Sequence, residues 1–268
     1  MVRWLPPYGE YTAPQKKFRA REEAEVVASI QRTAERYGDQ VRRVFLADGD
    51  ALVLPTRRLL TILATIREHM PAVRRISSYC LPRNLRKKSQ SEIDELAAAG
   101  LSMVYVGAES GDDQVLAAVS KGETYATTVD ALNKLGAAGI TRSVMILNGL
   151  GGDVWSAQHA EHSAQLANET QPEYLATLVV SFPLGEARFR AAFPSWSPLD
   201  QHGLFVEMER FLSGLELKRT VFRSDHASNW LVLKGTLGAD KERLLAQVCQ
   251  AITAPASAPL RPAWARGL

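Results

Sequence analysis

Cysteine is the scarcest chemical resource in this sequence. Only Cys80 and Cys249 occur among 268 residues, and they lie far apart along the chain. Two distant thiols make no disulfide framework and suit a reducing compartment, so a cytoplasmic location is expected. They also exclude a clustered three-thiolate metal site built from these residues alone. Long hydrophobic runs are missing too: no stretch reaches the roughly 18 apolar residues of a membrane span. The opening MVRWLPPYGEY has no apolar core of the kind a secretory leader carries, and no leader is expected. Neither a GxxxxGKS phosphate loop nor a strand-to-helix serine elbow is present, which removes two common nucleotide- and serine-hydrolase signatures. Charge of one sign is also lacking. Lys and Arg number 32 against 29 Asp and Glu, a net of +3, so nucleic-acid binding is not expected from charge.

What the sequence does hold is alternation. Hydrophobic residues make up 46% of the chain and charged ones 23%, an ordinary globular balance that supports a large core. Pro6, Pro7, Gly9 and Pro14 keep the start irregular. A helix is predicted from about residue 21 to 37, with Val26, Val27 and Ile30 facing inward. The apolar run Val44-Phe45-Leu46 then ends in Asp48-Gly49-Asp50, which reads as a buried strand with a turn at its C-terminal end. Helix and strand signals alternate from there. Strands are predicted at Arg75–Tyr79, Leu101–Val106, Thr141–Leu147 and Tyr174–Phe182, with helices between them. A last strand is predicted at Leu217–Phe222, and a last helix at Asp240–Ile252. This spacing means repeated βαβ units and a parallel sheet. Five strand ends carry DGD, SSY, GAESG, NGLGG and SFPLG. In parallel α/β folds such ends converge on one rim, where they form one pocket.

Several polar groups are candidates for chemistry. Gly49 lets backbone approach a ligand closely, and Asp48 and Asp50 can accept hydrogen bonds from an amine or hydroxyls. The competing view of Asp-Gly-Asp is an ordinary turn with a helix-capping Asp. His226 and Asn229, in SDHASN between Phe222 and Trp230, are candidates for a substrate pocket, against a loop that satisfies its own backbone. His159 and His162 share a helix face without a clear third ligand, so no metal site is expected. Arg83, Arg86, Lys87 and Lys88 read as a solvated helix face.

The ordered segments VFLADGDAL, RISSYCLPRNL, SMVYVGAESGDDQVL, VSKGETY, SVMILNGLGG and FRSDHASNWLVLKGTL together resemble the radical S-adenosylmethionine superfamily over roughly residues 15 to 252. The resemblance implies an α/β fold, a partial (β/α) barrel of TIM type. The barrel is expected over residues 21–193, incomplete at its N-terminus, where residues 1–20 are a remnant of the cluster-loop region. A small α/β extension is expected over 194–252, and a flexible tail over 253–268. By the same resemblance, Asp48, Gly49 and Asp50 take the place of the motif that holds the amino group of S-adenosylmethionine. Ser78, with Glu109 and Ser110, falls among the strand-end contacts to ribose or carboxylate, and Gly149 and Gly151 support the adenine.

The family's activity is reductive cleavage of S-adenosylmethionine to a 5′-deoxyadenosyl radical that takes hydrogen from a substrate. It depends on a [4Fe–4S] cluster held by Cys-x3-Cys-x2-Cys after the first strand. In this sequence those positions fall at Met1, Leu5 and Tyr8, and Cys80 follows a different strand. The cluster is therefore not expected in this chain, and S-adenosylmethionine is expected to bind weakly. A wrong start or frameshift, a degenerate binding relative, or a barrel completed by a partner would each account for the loss. The alternative to the family activity is a non-catalytic module for nucleotide-like ligands or RNA on the same fold. A missing first strand leaves an open edge beside Val44 through which self-association is expected. The substrate, small or macromolecular, is not named by any residue.

Reconstitution with iron and sulfide should leave the protein colourless. A brown product with about four irons per chain and an EPR signal on reduction would contradict the ligand count.

Overall fold

The structure of the protein is a computed structural model, and it describes residues 20–47, 49–182 and 186–266. Its strands form one sheet of seven in chain order, β1 (Arg43–Leu46), β2 (Arg75–Tyr79), β3 (Leu101–Glu109), β4 (Thr141–Asn148), β5 (Tyr174–Val179), β6 (Val221–Ser224) and β7 (Leu233–Thr236). The pairs β1–β2, β2–β3 and β5–β6 are parallel, and β6–β7 is antiparallel. The helices are α1 (Glu23–Tyr37), α2 (Thr56–His69), α3 (Pro82–Leu85), α4 (Gln90–Ala98), α5 (Asp113–Ala118), α6 (Tyr125–Ala137), α7 (Gly152–Thr170), α8 (Ala187–Ala192), α9 (Gln201–Gly214) and α10 (Lys241–Thr253). Strand and helix alternate as the apolar periodicity predicts. The described residues fall into two compact units whose boundaries lie within β3, α6 and β4.

The first unit holds residues 20–106 and 130–143. The register pairs Leu46 with Ser78 and Ser78 with Val104, and Tyr79 with Tyr105. Side chains alternate across a strand, so Val44, Leu46, Ile76, Val104 and Val106 share one face. Helices α2 and α4 contribute Leu59, Ile62, Leu63, Ile66, Ile93 and Leu96 to the buried core. The other face carries Phe45, Tyr79 and Tyr105, with Phe45 edge-on to Tyr79 at 4.8 Å between ring centres. Helix α4 begins with a capping box, in which Ser89 Oγ accepts from Glu92 N–H and the Glu92 carboxylate accepts from Ser89 N–H.

The second unit holds residues 107–129 and 144–266. Its aromatic cluster joins Phe189, Phe193 and Trp196 to Val115, Val119, Leu147 and Leu150. Helix α9 packs on both α7 and α10. The predicted strand at 217–222 lies instead at Val221–Ser224, and β7 was not foreseen. Strand β7 is only Leu-Lys-Gly-Thr and buries Leu233 alone, too short a pattern to read as a strand. Strand β5 stops at Val179, whose N–H is taken by Ser228 Oγ and Asn229 Oδ1. Two arginines of residues 253–266 fork onto the SDHASN loop. Arg261 donates to the carbonyls of His226 and Asn229 at 2.6 and 2.9 Å, Arg266 donates twice to that of Ser228, and Arg266 also lies over the Trp230 ring.

One glycine fixes how closely α7 approaches the end of β3. A Cβ on Gly111 would sit 2.2 Å from the carbonyl oxygen of His162. Backbone cannot yield as a side-chain tip can, so Gly111→Ala should destabilise the fold by about 1–3 kcal/mol. Urea unfolding with an unchanged m-value would measure it.

Candidate functional site

In the first unit the candidate residues follow β1. Asp48 lies outside the described residues, as do Met1, Leu5 and Tyr8. Gly49 has φ 130°, a conformation that suits glycine. Asp50 is buried, and its carboxylate holds three donors. Oδ1 accepts from Leu52 N–H at 2.7 Å, and Oδ2 accepts from Leu81 N–H at 2.6 Å and from the Asn84 amide at 2.7 Å. Burial pushes its pKa above the usual 3.8, while those three donors and Arg83 pull it down. Ser78 stands nearby through Ala51, whose N–H reaches Ser78 Oγ at 3.4 Å. Lys88, assigned from sequence to a solvated helix face, is buried instead. Its ammonium donates to Leu54 O at 2.8 Å and Thr56 Oγ1 at 3.2 Å, and burial lowers its pKa. The turn that would present Asp50 is thus braced from two sides.

In the second unit the candidates sit at the ends of β3 and β4. Glu109 is fully buried, has φ 67°, and pairs through Oε1 with the ammonium of buried Lys121 at 3.1 Å. A non-glycine residue at positive φ at a strand end is a strained position of the kind that gathers at functional sites. Ser110 Oγ accepts from Asp112 N–H at 2.9 Å and lies 2.8 Å from His159 Nδ1. His159 Nε2 lies 3.0 Å from the carbonyl oxygen of Leu147, to which it donates. Gly149 has φ 81°. Its N–H donates to Glu207 Oε1 at 2.6 Å, and its carbonyl accepts from Trp196 Nε1 at 3.3 Å. Gly151 caps α7 without a side chain, in a space where a Cβ would meet Trp155 O at 2.9 Å.

Glu207 is a residue that sequence reasoning missed, and His159 was weighed there only as a metal ligand. Glu207 lies on α9, 58 positions from the glycine it binds. Its Oε2 accepts from Ser156 at 2.7 Å, and its Oε1 lies 3.9 Å from His159 Nε2. Burial raises its pKa, which His159, Ser156 and the Gly149 N–H moderate. His159 and His162 do not share a role: His159 is buried in this network, and half-exposed His162 pairs with Asp112 at 2.6 Å. Among the described residues no group of three or more His, Cys, Asp or Glu could hold a metal.

The SDHASN loop closes on its own backbone and on β5. Asn229 accepts from Val179 N–H and donates to Thr177 O at 2.8 Å. Ser228 N–H donates to His226 Nδ1 at 3.1 Å, so the His226 proton lies on Nε2, and burial followed by Arg261 lowers its pKa. A cavity of about 20 Å³, room for one water, lies among Asn148, Val179, Ser224, Asn229, Leu204 and Phe205.

The sequence profile of the Radical SAM superfamily matches residues 8–167. The chain belongs to the radical S-adenosylmethionine superfamily. Its fold is similar to coproporphyrinogen III oxidase HemN from Escherichia coli, a radical SAM enzyme, with TM-score 0.54 and 16% identity over 74% of this chain and 48% of that one. It is also similar to an N-terminally deleted Elp3 from the archaeon Methanocaldococcus infernus, with TM-score 0.51 and 13% identity over 85% of this chain and 58% of that one. The radical S-adenosylmethionine methyltransferase TsrM from Kitasatospora setae aligns at 19% identity and TM-score 0.48 over 59% of this chain. The chain spans 31% of the length of TsrM, 48% of HemN and 58% of Elp3. No curated protein matches it in sequence. The mostly parallel α/β fold of the superfamily, a partial TIM barrel in its solved members, is therefore established.

Superfamily membership implies S-adenosylmethionine and a [4Fe–4S] cluster, and the residues suit the two unequally. Two cysteines, Cys80 buried and Cys249 exposed, cannot supply three thiolates. The cluster does not fit the donor set of this chain. S-adenosylmethionine fits in kind. A buried carboxylate such as Asp50, with three of its roughly four acceptor sites used, retains one for an ammonium.

Asp112 gives the site a pH signature. Burial alone would raise its pKa, but the Val115 N–H, His162 and Gln158 together hold it below the usual 3.8. A lowered pKa in the fold means a contribution present above 3.8 and lost as pH falls through the folded value. Asp112→Asn keeps the helix cap but loses the charge. It should cost about 1.5–3 kcal/mol near pH 7 and flatten the acid limb of the stability curve. Melting temperatures from neutral pH downward, compared with wild type, test both effects.

Proposed function

We propose that this chain is a superfamily member that binds S-adenosylmethionine weakly and does not cleave it reductively with its own residues. The observation that carries the reading is the cysteine count: two in the whole sequence, against the three thiolates of the family's cluster. The superfamily's chemistry, a 5′-deoxyadenosyl radical acting on a substrate, is on this reading absent from the chain as given. What it retains is the polar apparatus for the cofactor. In this proposal the turn Asp48–Asp50 takes the amino group. Ser78, Glu109 and Ser110 take ribose or carboxylate, Gly149 and Gly151 carry the adenine, and His226 and Asn229 belong to the substrate side.

Several observations support it. Asp50 is a buried carboxylate with its pKa pushed up, a state that a ligand's ammonium would relieve. Glu109 keeps a strained backbone at a strand end. Lys121 already compensates the Glu109 charge, so a bound cofactor would add hydrogen bonds to that carboxylate rather than neutralise it. Each contact is worth about 0.5–1.5 kcal/mol net.

Calorimetric titration of S-adenosylmethionine into wild type, Asp50→Ala and Glu109→Ala tests the reading. Weak binding is expected, reduced about 2- to 13-fold in each variant, the range those energies allow. Melting curves run alongside separate lost contacts from lost fold. Tight binding unchanged in both variants would place the ligand elsewhere.

A further inference from the structure

Glu207 stands outside the matched family segment, which ends at residue 167, yet it binds the glycine turn that follows β4. Its two oxygens do different things. Oε1 takes the Gly149 N–H at 2.6 Å, and Oε2 takes the Ser156 hydroxyl at 2.7 Å in the first turns of α7. One carboxylate therefore ties the residue before the turn from Leu150 to Gly152 to the first turns of α7. The same helix presses on the turn three residues earlier: a Cβ on Gly149 would meet Leu204 Cδ2 at 3.0 Å. With Leu204 against it and its carbonyl bonded to Trp196 Nε1, the Gly149 peptide has its orientation set at every polar atom. Ser110 joins the arrangement through His159, whose Nε2 lies 3.9 Å from Glu207 Oε1.

A carboxylate is an unusual choice for a plain tie between helices. Burying it costs free energy that an apolar contact would not, and Glu207 is 3% exposed. The cost is offset by two donors, the N–H of Gly149, a glycine held at positive φ, and the Ser156 hydroxyl. We propose that Glu207 is a positioning residue, which fixes the Gly149 peptide so that the glycine turn keeps the shape that meets the adenine end of the cofactor. The inference rests on the reading of Gly149 and Gly151 given above. It adds that the cofactor turn is shaped by α9.

The test compares wild type, Glu207→Gln, Glu207→Ala and Ser156→Ala, with two readouts on the full chain. Hydrogen exchange at the amides of residues 149–152 reports the turn, and calorimetry with S-adenosylmethionine reports its use. In Glu207→Ala the Gly149 amide should exchange about tenfold faster while α7 and α9 keep their protection, and affinity should fall with it. Glu207→Gln, which keeps an oxygen for the Gly149 N–H, should hold that amide near wild type. Ser156→Ala, which removes only the α7 arm, should leave Gly149 protected. Unchanged exchange at Gly149 in Glu207→Ala, or a rise spread evenly over α7 and α9, overturns the positioning role and makes Glu207 a general tie. A labile Gly149 with undiminished affinity overturns it as well, because the turn's shape would then not matter to the ligand. Absent affinity in wild type overturns instead the cofactor reading of the turn, and the exchange arm still decides whether Glu207 fixes it.

Discussion

A carboxylate removed from water has to find donors or a cation, and that constraint shapes the strand ends of this protein. Asp50 meets it with two backbone N–H groups and the Asn84 amide. Glu109 meets it with Lys121, and Glu207 with a glycine N–H and a serine hydroxyl. Lys88 answers the same demand with opposite sign, spending its ammonium on Leu54 O and Thr56. Removing one partner of a buried pair leaves an uncompensated charge at a cost of about 3–5 kcal/mol. The loops that carry the candidate site are consequently held by the same bonds that make it polar. Few of its hydrogen-bonding groups are left over for a visitor.

Much of the fold was legible because its signal is local. Val44 to Leu46, Arg75–Tyr79, Leu101–Val106 and Thr141–Leu147 are short runs set between turn or helix signals, and each lies within a strand of the sheet. The elements missed are those whose local pattern is thin. Strand β7 has one buried residue of four, and its antiparallel pairing with β6 depends on a loop, Asp225–Val232, that resembles neither helix nor strand. The polar partners were invisible for a different reason. Lys121 stands 12 residues from Glu109, His159 stands 49 from Ser110, and Glu207 stands 58 from Gly149. No periodicity links such pairs. Lys88 misled because a run of Arg and Lys reads as solvated, although one long side chain can turn inward and bond a carbonyl.

Family and chemistry rest on different residues. The superfamily profile covers 8–167 and the fold follows it, but the reaction that defines the family lives in a cluster, not in a sheet. A fold carries sites without guaranteeing them. In the family three thiolates hold the electron donor, whereas Val104, Val106 and Leu147 only pack the core.

The arginines that clasp the SDHASN loop bear on how the chain is made. The loop's carbonyls at 226, 228 and 229 are bonded by Arg261 and Arg266, which follow His226 by 35 and 40 positions. Synthesis adds about 5–20 residues per second, so the ribosome needs roughly 2–8 s more after His226 to reach Arg266. Through that interval the loop lacks the donors that close it, while β5 and α7, made earlier, are free to fold. The conformation of His226 is therefore set only after Arg261 and Arg266 have been made.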